Sequence, residues 1–275
     1  MKSRLKEKFT NIALTLAGSV LLLVLRISLK FGLHIPDRYL PSPAAVFHAI
    51  GDLQPSFWYH CAVTATRLVI GSILGIAIGI GIGILFSWRR NLCRFLLPSV
   101  LSMRAIPPVA AIPFFLLWFG FSETGKLVII VFGIAFNIAV ATLQAINSMP
   151  ERYQILFKSF NIPEGALPIS YSLPVALETL GPTVRFSVAT AVGLVVVAEL
   201  LGSQDGLGYL IQTSRSTFAM HTIFLATFGL AAIASVADWT SQRLWLRRLV
   251  RHHCVTFLST IMQPHPSASP PTDSA

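Results

Sequence analysis

"CAVTATRLVIGSILGIAIGIGIGILF", Cys61 to Phe86, is apolar enough and long enough to cross a bilayer as one helix. A spanning helix needs about 20 mostly apolar residues, because without water every backbone polar group must be satisfied within the segment itself. Gly71, Gly75, Gly79 and Gly83 recur at every fourth position of this run and so share one side of the helix. That groove lets a second helix backbone come close, either as fixed packing or as a surface that slides during a conformational change.

Composition extends the reading to the whole chain. Of its 275 residues 54% are hydrophobic and 12% charged, with a mean hydropathy of +0.70, where a soluble domain carries about 25% charged residues. Six stretches are expected to span: Asn11 to Leu33, Cys61 to Phe86, Phe95 to Phe119, Lys126 to Ile146, Thr183 to Leu201 and Thr222 to Trp239. The expected fold class is all-α, a polytopic membrane protein with six transmembrane helices. The first stretch follows Lys2, Arg4, Lys6 and Lys8, as a secretory signal would, but no small-x-small cleavage site follows it and the run continues through Arg26 and Lys30.

The net charge of +10 does not mark a nucleic-acid binder, because the basic residues cluster in short runs at the ends of apolar segments. They set topology. Lys2 to Lys8, then Arg89, Arg90 and Arg94, then Arg243, Arg247, Arg248 and Arg251 read as cytoplasmic; the connections holding Arg38, Lys126 and Arg215 are poor in such residues and read as external. Both termini are thus expected in the cytoplasm. Residues 1–10 form a basic N-terminus, 11–250 the membrane domain, and 251–275, ending in "QPHPSASPPTDSA", a disordered Pro/Ser-rich tail.

The longest polar interruption, "ILFKSFNIPEGALPISYSLPVAL" from Ile155 to Leu177, falls on the cytoplasmic side. Tyr153, Leu156, Phe157 and Phe160 lie at helical spacing; Asn161 tolerates the left-handed turn that ends helices, and Pro163 with Glu164 suits the start of a second helix. The result is a helix-turn-helix with an apolar face, which either lies on lipid or on the protein's own helices, or docks a soluble partner.

The third span is interrupted by Pro98, Pro107, Pro108 and Pro113, each of which removes a backbone donor. Carbonyls freed near Met103, Arg104 and Val109 are tolerated at membrane depth only inside protein or beside a watery cavity, so Arg104, Pro107, Pro108 and Pro113 are candidates for a translocation pathway. Arg104 either faces that pathway, where it would attract an anion, or snorkels toward the cytoplasm. Glu199, near the outer end of the fifth span, is an interfacial carboxylate, a gate or half of a structural pair.

No phosphate-cradling Gly-x-x-x-x-Gly-Lys-Ser/Thr occurs, so nucleotide energy would have to come from another subunit. No metal-spaced His or Cys set is present, His34, His48, His60, His221, His252 and His253 read as solvated residues at water-facing ends, and Cys61, Cys93 and Cys254 are too dispersed for a disulfide framework. No catalytic constellation is visible.

The Ile155 to Ile211 region resembles the cytoplasmic coupling loop and following helix of the membrane subunit of bacterial ATP-binding-cassette importers, in the nitrate/sulfonate/taurine branch. The family pattern of Glu-Ala-Ala, three residues, Gly and a spacer to Leu-Pro is matched in spacing by Ile155, Leu156 and Phe157, then Asn161, then Leu173 and Pro174. "LPSP" at Leu40 to Pro43 with "AAVFHAI", "TATRLVIG" at Thr64 to Gly71, "RAIPPVAAIPFFLLWFG" at Arg104 to Gly120 and "AELLGSQDGLGYLI" at Ala198 to Ile211 are similar to further pieces of the family in the same order.

The resemblance implies a type I importer-like permease subunit in the bacterial inner membrane. It would work as a homodimer in the lipid bilayer, with ATP and Mg held by partner ATPase subunits and with no cofactor on this chain. A periplasmic or lipid-anchored binding protein would deliver a small solute, an anion of the nitrate, sulfonate, taurine or bicarbonate class. The ATPase would grip the loop at about 151–170, with Leu156, Phe157, Ser159, Phe160, Asn161, Pro163, Glu164, Gly165 and Pro174 as the coupling residues. Two other classes remain open on the residues alone: an ion-coupled secondary carrier, which would favour inverted repeats, and a membrane scaffold or enzyme subunit.

Overall fold

A computed structural model of the protein describes residues 41–53, 55–148 and 173–244, with positions 28, 36 and 39. The expected first span apart from position 28, the basic N-terminus, the coupling loop at 151–170 and the C-terminal tail lie outside the described residues. Among those described, all regular structure is helical: α1 (Pro43–Leu53), α2 (Ser56–Trp88), α3 (Arg90–Ala105), α4 (Pro108–Phe119), α5 (Glu123–Asn147), α6 (Leu173–Gly202), α7 (Leu207–Ser216) and α8 (Met220–Leu244). Of these, α2, α5, α6 and α8 are each long and apolar enough to cross a membrane.

Local chemistry sets several helix starts. Ser42 accepts the Ala45 N–H at 3.2 Å ahead of Pro43, whose ring fits a first helical turn. Ser122 caps α5 by accepting from the Gly125 N–H at 3.2 Å, and Glu123 places an acid in the positively polarised first turn. The sixth helix starts at Leu173, earlier than the expected Thr183, and carries Pro174 in its first turn and Pro182 inside.

The expected proline-interrupted span from Phe95 to Phe119 is built from two helices, α3 and α4, meeting at about 100°. The cause is the Pro107–Pro108 pair, since a residue before proline is pushed out of the helical region. Ile106 (ψ 123°) and Pro107 (ψ 119°) are accordingly extended. The pair still crosses the molecule: Leu92 and Cys93 pack with Phe86, Val140 and Leu143 near the C-terminal ends of α2 and α5, whereas Phe119 and Gly120 sit against Gly125 at the start of α5. The break is therefore a broken span and not a re-entrant loop.

The centre of the bundle is the α2–α5 seam. Cβ atoms added at Gly71 or Gly79 would fall 2.7 Å from Ile130 Cγ2 and 2.6 Å from Ile138 Cβ, one at Gly83 2.5 Å from Thr142 Cβ, and one at Gly75 inside the Ile134 side chain. Partner positions rise in step with the glycines, so the two helices run parallel, each glycine receiving one side chain of α5. Helix α6 lies antiparallel to both, with Leu194 against Gly133 and Lys126 against Ser203. Ile112, Ile130, Ile134, Ala191, Leu194 and Val195 form the main core where α4, α5 and α6 meet.

A second core joins α1, α7 and the N-terminal ends of α2 and α8 through Val46, Ala49, Phe57, Leu207, Leu210, Leu225 and Ala226. One end of the bundle thus carries α1, α7 and the α4–α5 turn. At the other end lie Arg89, Arg90 and Arg94, the C-terminus of α5, the start of α6 and Arg243 at the end of α8.

Candidate functional site

Two polar assemblies interrupt the apolar bundle. The first lies at the α1/α7 end and is closed. Arg67 of α2, 5% exposed, gives Nε and Nη2 to the two carboxylate oxygens of Glu123 at 2.7 and 2.5 Å, and Nη1 to Glu199 Oε1 and the Asp205 carbonyl at 2.8 Å each. The planar guanidinium fork permits this two-sided arrangement, which a lysine could not reproduce. Lys126, one turn along from Glu123, donates to Glu123 Oε1 at 2.8 Å and to Ser203 Oγ at 3.0 Å. Two cations thus face two carboxylates.

Glu199 is 1% exposed and saturated. Beyond Arg67 it accepts from Thr64 Oγ1 at 3.0 Å and from the Gly208 N–H at 2.9 Å, while Thr64 Oγ1 accepts the Leu207 N–H at 2.8 Å. Two orphan donors in the first turn of α7 are thereby satisfied by side chains of α6 and α2. The glycines around them are dictated by the close approach: Gly206 has φ +108°, and a side chain there would run into the Glu199 carboxylate. His60 Nδ1 accepts the Gly206 N–H at 3.1 Å, so this histidine is a packed partner of the loop and not the solvated end residue expected. An open cleft of about 550 Å³ lies beside the network, lined by Phe121, Ser122, Glu123, Lys126 and residues Gly202 to Asp205. The structure therefore places Glu199 within a structural ion pair, and the chemistry of the assembly is to clamp α7 and its preceding loop to α2, α5 and α6.

The second assembly lies at the α3–α4 break and is open. Arg104, in the last turn of α3, donates Nε to Asn137 Oδ1 at 2.9 Å. Pro108 packs one turn away, its Cβ 3.1 Å from where a Cβ on Gly133 would lie. Asn137 is about 21 Å along α5 from its start and about 15 Å from its end at ~1.5 Å per residue, so the break is pinned near mid-depth. Residues 101–107 are all exposed. Pro107 marks the break, Pro108 opens α4, and Pro113 sits inside α4 as an exposed residue.

The structure does not bring Arg104 and Glu199 together: they belong to separate assemblies at different depths. Gly71, Gly75, Gly79 and Gly83 form the α2–α5 seam described above. Leu156, Phe157, Ser159, Phe160, Asn161, Pro163, Glu164 and Gly165 fall outside the described residues, and Pro174 lies in the first turn of α6. Sequence reasoning passed over Arg67, Thr64, Glu123 and Lys126 as site residues. The available signal was Arg67 itself, a charge inside an apolar run that requires a buried partner. Among the described residues no cluster of His, Cys, Asp or Glu could hold a metal ion.

Among known proteins, residues 71–249 match the family model for the binding-protein-dependent transport system inner membrane component. The chain is 31% identical over 231 residues to a probable ABC transporter permease protein of Haemophilus influenzae, covering 82% of this chain and 94% of that protein. It is 30% identical over 224 residues to the putative aliphatic sulfonates transport permease protein SsuC of Escherichia coli, covering 80% and 85%. A chain of the MetNI methionine ABC transporter, solved in an inward-facing conformation, superposes with a TM-score of 0.60 at 19% identity, over 70% of this chain and 97% of that one; at that identity the likeness bears on the fold. Helices α3 to α8 and the C-terminal half of α2 fall within the matched region, and the chain belongs to the binding-protein-dependent transport system inner membrane component family, the permeases of ABC transporters.

Proposed function

We propose that this chain is the translocating subunit of an ATP-driven importer for a small anion of the nitrate, sulfonate, taurine or bicarbonate class. The observation that carries the reading is the broken span: non-helical backbone and Arg104 stand at mid-depth on a surface that hydrocarbon cannot satisfy. Such a surface belongs beside a water-filled path. Likeness to a sulfonate permease supports the anion class.

In the same reading the chain is a homodimer in the inner membrane, with the path between or beside the two copies. The end carrying Arg89, Arg90, Arg94 and Arg243 faces the cytoplasm, as the excess of arginine there favours. Two ATPase subunits hold ATP and Mg and grip the 151–170 loops, and a substrate-binding protein delivers solute at the α1/α7 end. Closure of the ATPases moves the loops as levers and shifts the spans between inward-open and outward-open states. Phe157 and Phe160 fill a groove on the ATPase, and Asn161 with Pro163 sets the angle of the loop.

The test is Phe157→Asp, which puts a charge into that contact. Co-purification of the ATPase and ATP-dependent uptake are expected to fall together by at least about tenfold, the loss of roughly 1.4 kcal/mol of coupling. Unchanged association and uptake would end the docking assignment.

A further inference from the structure

The other cations set inside the long spans have counter-groups. Arg67 holds Glu123 and Glu199, Lys126 holds Glu123, and Arg185 of α6 makes a two-pronged pair with Asp238 of α8. Arg104 has no carboxylate among the described residues. Among the described residues its one hydrogen bond, through Nε, goes to the neutral Asn137, which also orients the side chain, since Asn137 Nδ2 reaches back to the Gly133 carbonyl at 3.4 Å. That leaves Nη1 and Nη2, the paired end of the fork, without a partner among the described residues, on an exposed surface near mid-depth.

A charge so placed facing lipid would be costly even on insertion-based scales. A guanidinium held, among the described residues, by a neutral amide alone beside extended, proline-broken backbone is a half-made binding site. Two parallel N–H groups match two oxygens of one planar or tetrahedral oxoanion. From this geometry we propose that Arg104, positioned by Asn137 at the α3–α4 break, is the mid-membrane coordination point for the oxoanion group of the transported solute. The inference rests on the permease reading above and adds to it a residue and a ligand chemistry.

The test uses the complete complex of permease, ATPase and binding protein in lipid nanodiscs, with Cys61, Cys93 and Cys254 replaced by alanine and Leu101→Cys as reporter. Leu101 is exposed and three residues before Arg104, so the two share one face of α3. A negatively charged methanethiosulfonate is expected to react about tenfold faster than a positively charged one of equal size, within the range of local field effects. Arg104→Gln should bring the ratio to within about twofold, and Arg104→Lys should restore most of it. Methanesulfonate and nitrate, as tetrahedral and planar probes, should each slow the negative reagent in the Arg104 protein and not in Arg104→Gln; whichever protects better reports the shape of the site.

Equal rates for the two reagents, no reaction with either, or a charge ratio without protection by either anion would each overturn the assignment. These failures leave the permease reading standing if the complex still hydrolyses ATP in response to the binding protein. Absence of ATPase from the purified wild-type complex would instead remove the reading on which the inference rests.

Discussion

Arg67 makes four hydrogen bonds across three separate stretches of chain, to Glu123, Glu199 and the Asp205 carbonyl. Removing one partner of a buried ion pair leaves an uncompensated charge, commonly at a cost of about 3–5 kcal/mol, whereas replacing both by apolar groups is often much less damaging. Arg67→Met and Glu199→Leu are each expected to lower the thermal unfolding temperature of the purified protein sharply, and the double variant to recover a large part of the loss. Simple additivity of the two effects, measured as a double-mutant cycle, would show that the pair is not coupled. At this scale the sequence was half legible. Glu199 and Arg104 could be singled out as ionisable groups set among apolar residues. That Glu199 answers Arg67, 132 positions away, could not, because no local pattern specifies how two helices are rotated against each other.

The same boundary recurs between helices. Glycines at every fourth position announced a groove, but only the structure shows that α5 fills it, in parallel, with Ile130, Ile134, Ile138 and Thr142. Gly81, on the same helix, has nothing within 4 Å of where a methyl group would lie and supplies the control. Gly79→Leu should destabilise the folded protein by about 1–3 kcal/mol or more, as overpacking does. Gly81→Leu should be neutral or slightly stabilising, since leucine favours helix over glycine by about 0.5–1 kcal/mol. Equal loss of folded yield in detergent for both variants would contradict the seam. The prolines of α3 and α4 were legible as a disturbance of the third span, yet the size of the bend was not. Two successive extended residues, Ile106 and Pro107, turn a tolerable kink into a corner of about 100°.

Among the described residues the helices offer up to five crossings, counting α3 and α4 as one, and put Arg89, Arg90, Arg94 and Arg243 at one end. If that end is cytoplasmic, a cysteine at Ser148 should be modified only from the cytoplasm and one at Gln204 only from outside, both positions being exposed. Membrane-impermeant labelling of intact cells and inverted vesicles decides it, and the reversed pattern would refute the orientation. The long apolar helices were the most readable feature of the chain because length and apolar character are local. The clamp on α7 was the least readable, since it joins α2, α5 and α6 through glycines whose role emerges only from what lies opposite them.

The α2–α5 seam limits how such a molecule can move. At about 1.5 Å per residue, successive notches lie roughly 6 Å apart, and each is occupied by a stiff branched side chain. Any smaller shear would unseat all four teeth together, so the two helices cannot creep past one another and must turn as a single strut. The flexible joint has to lie elsewhere, and the elbow at Ile106–Pro107, bordered by exposed residues and braced, among the described residues, through Asn137 and Gly133, is where a strut of that kind would hinge.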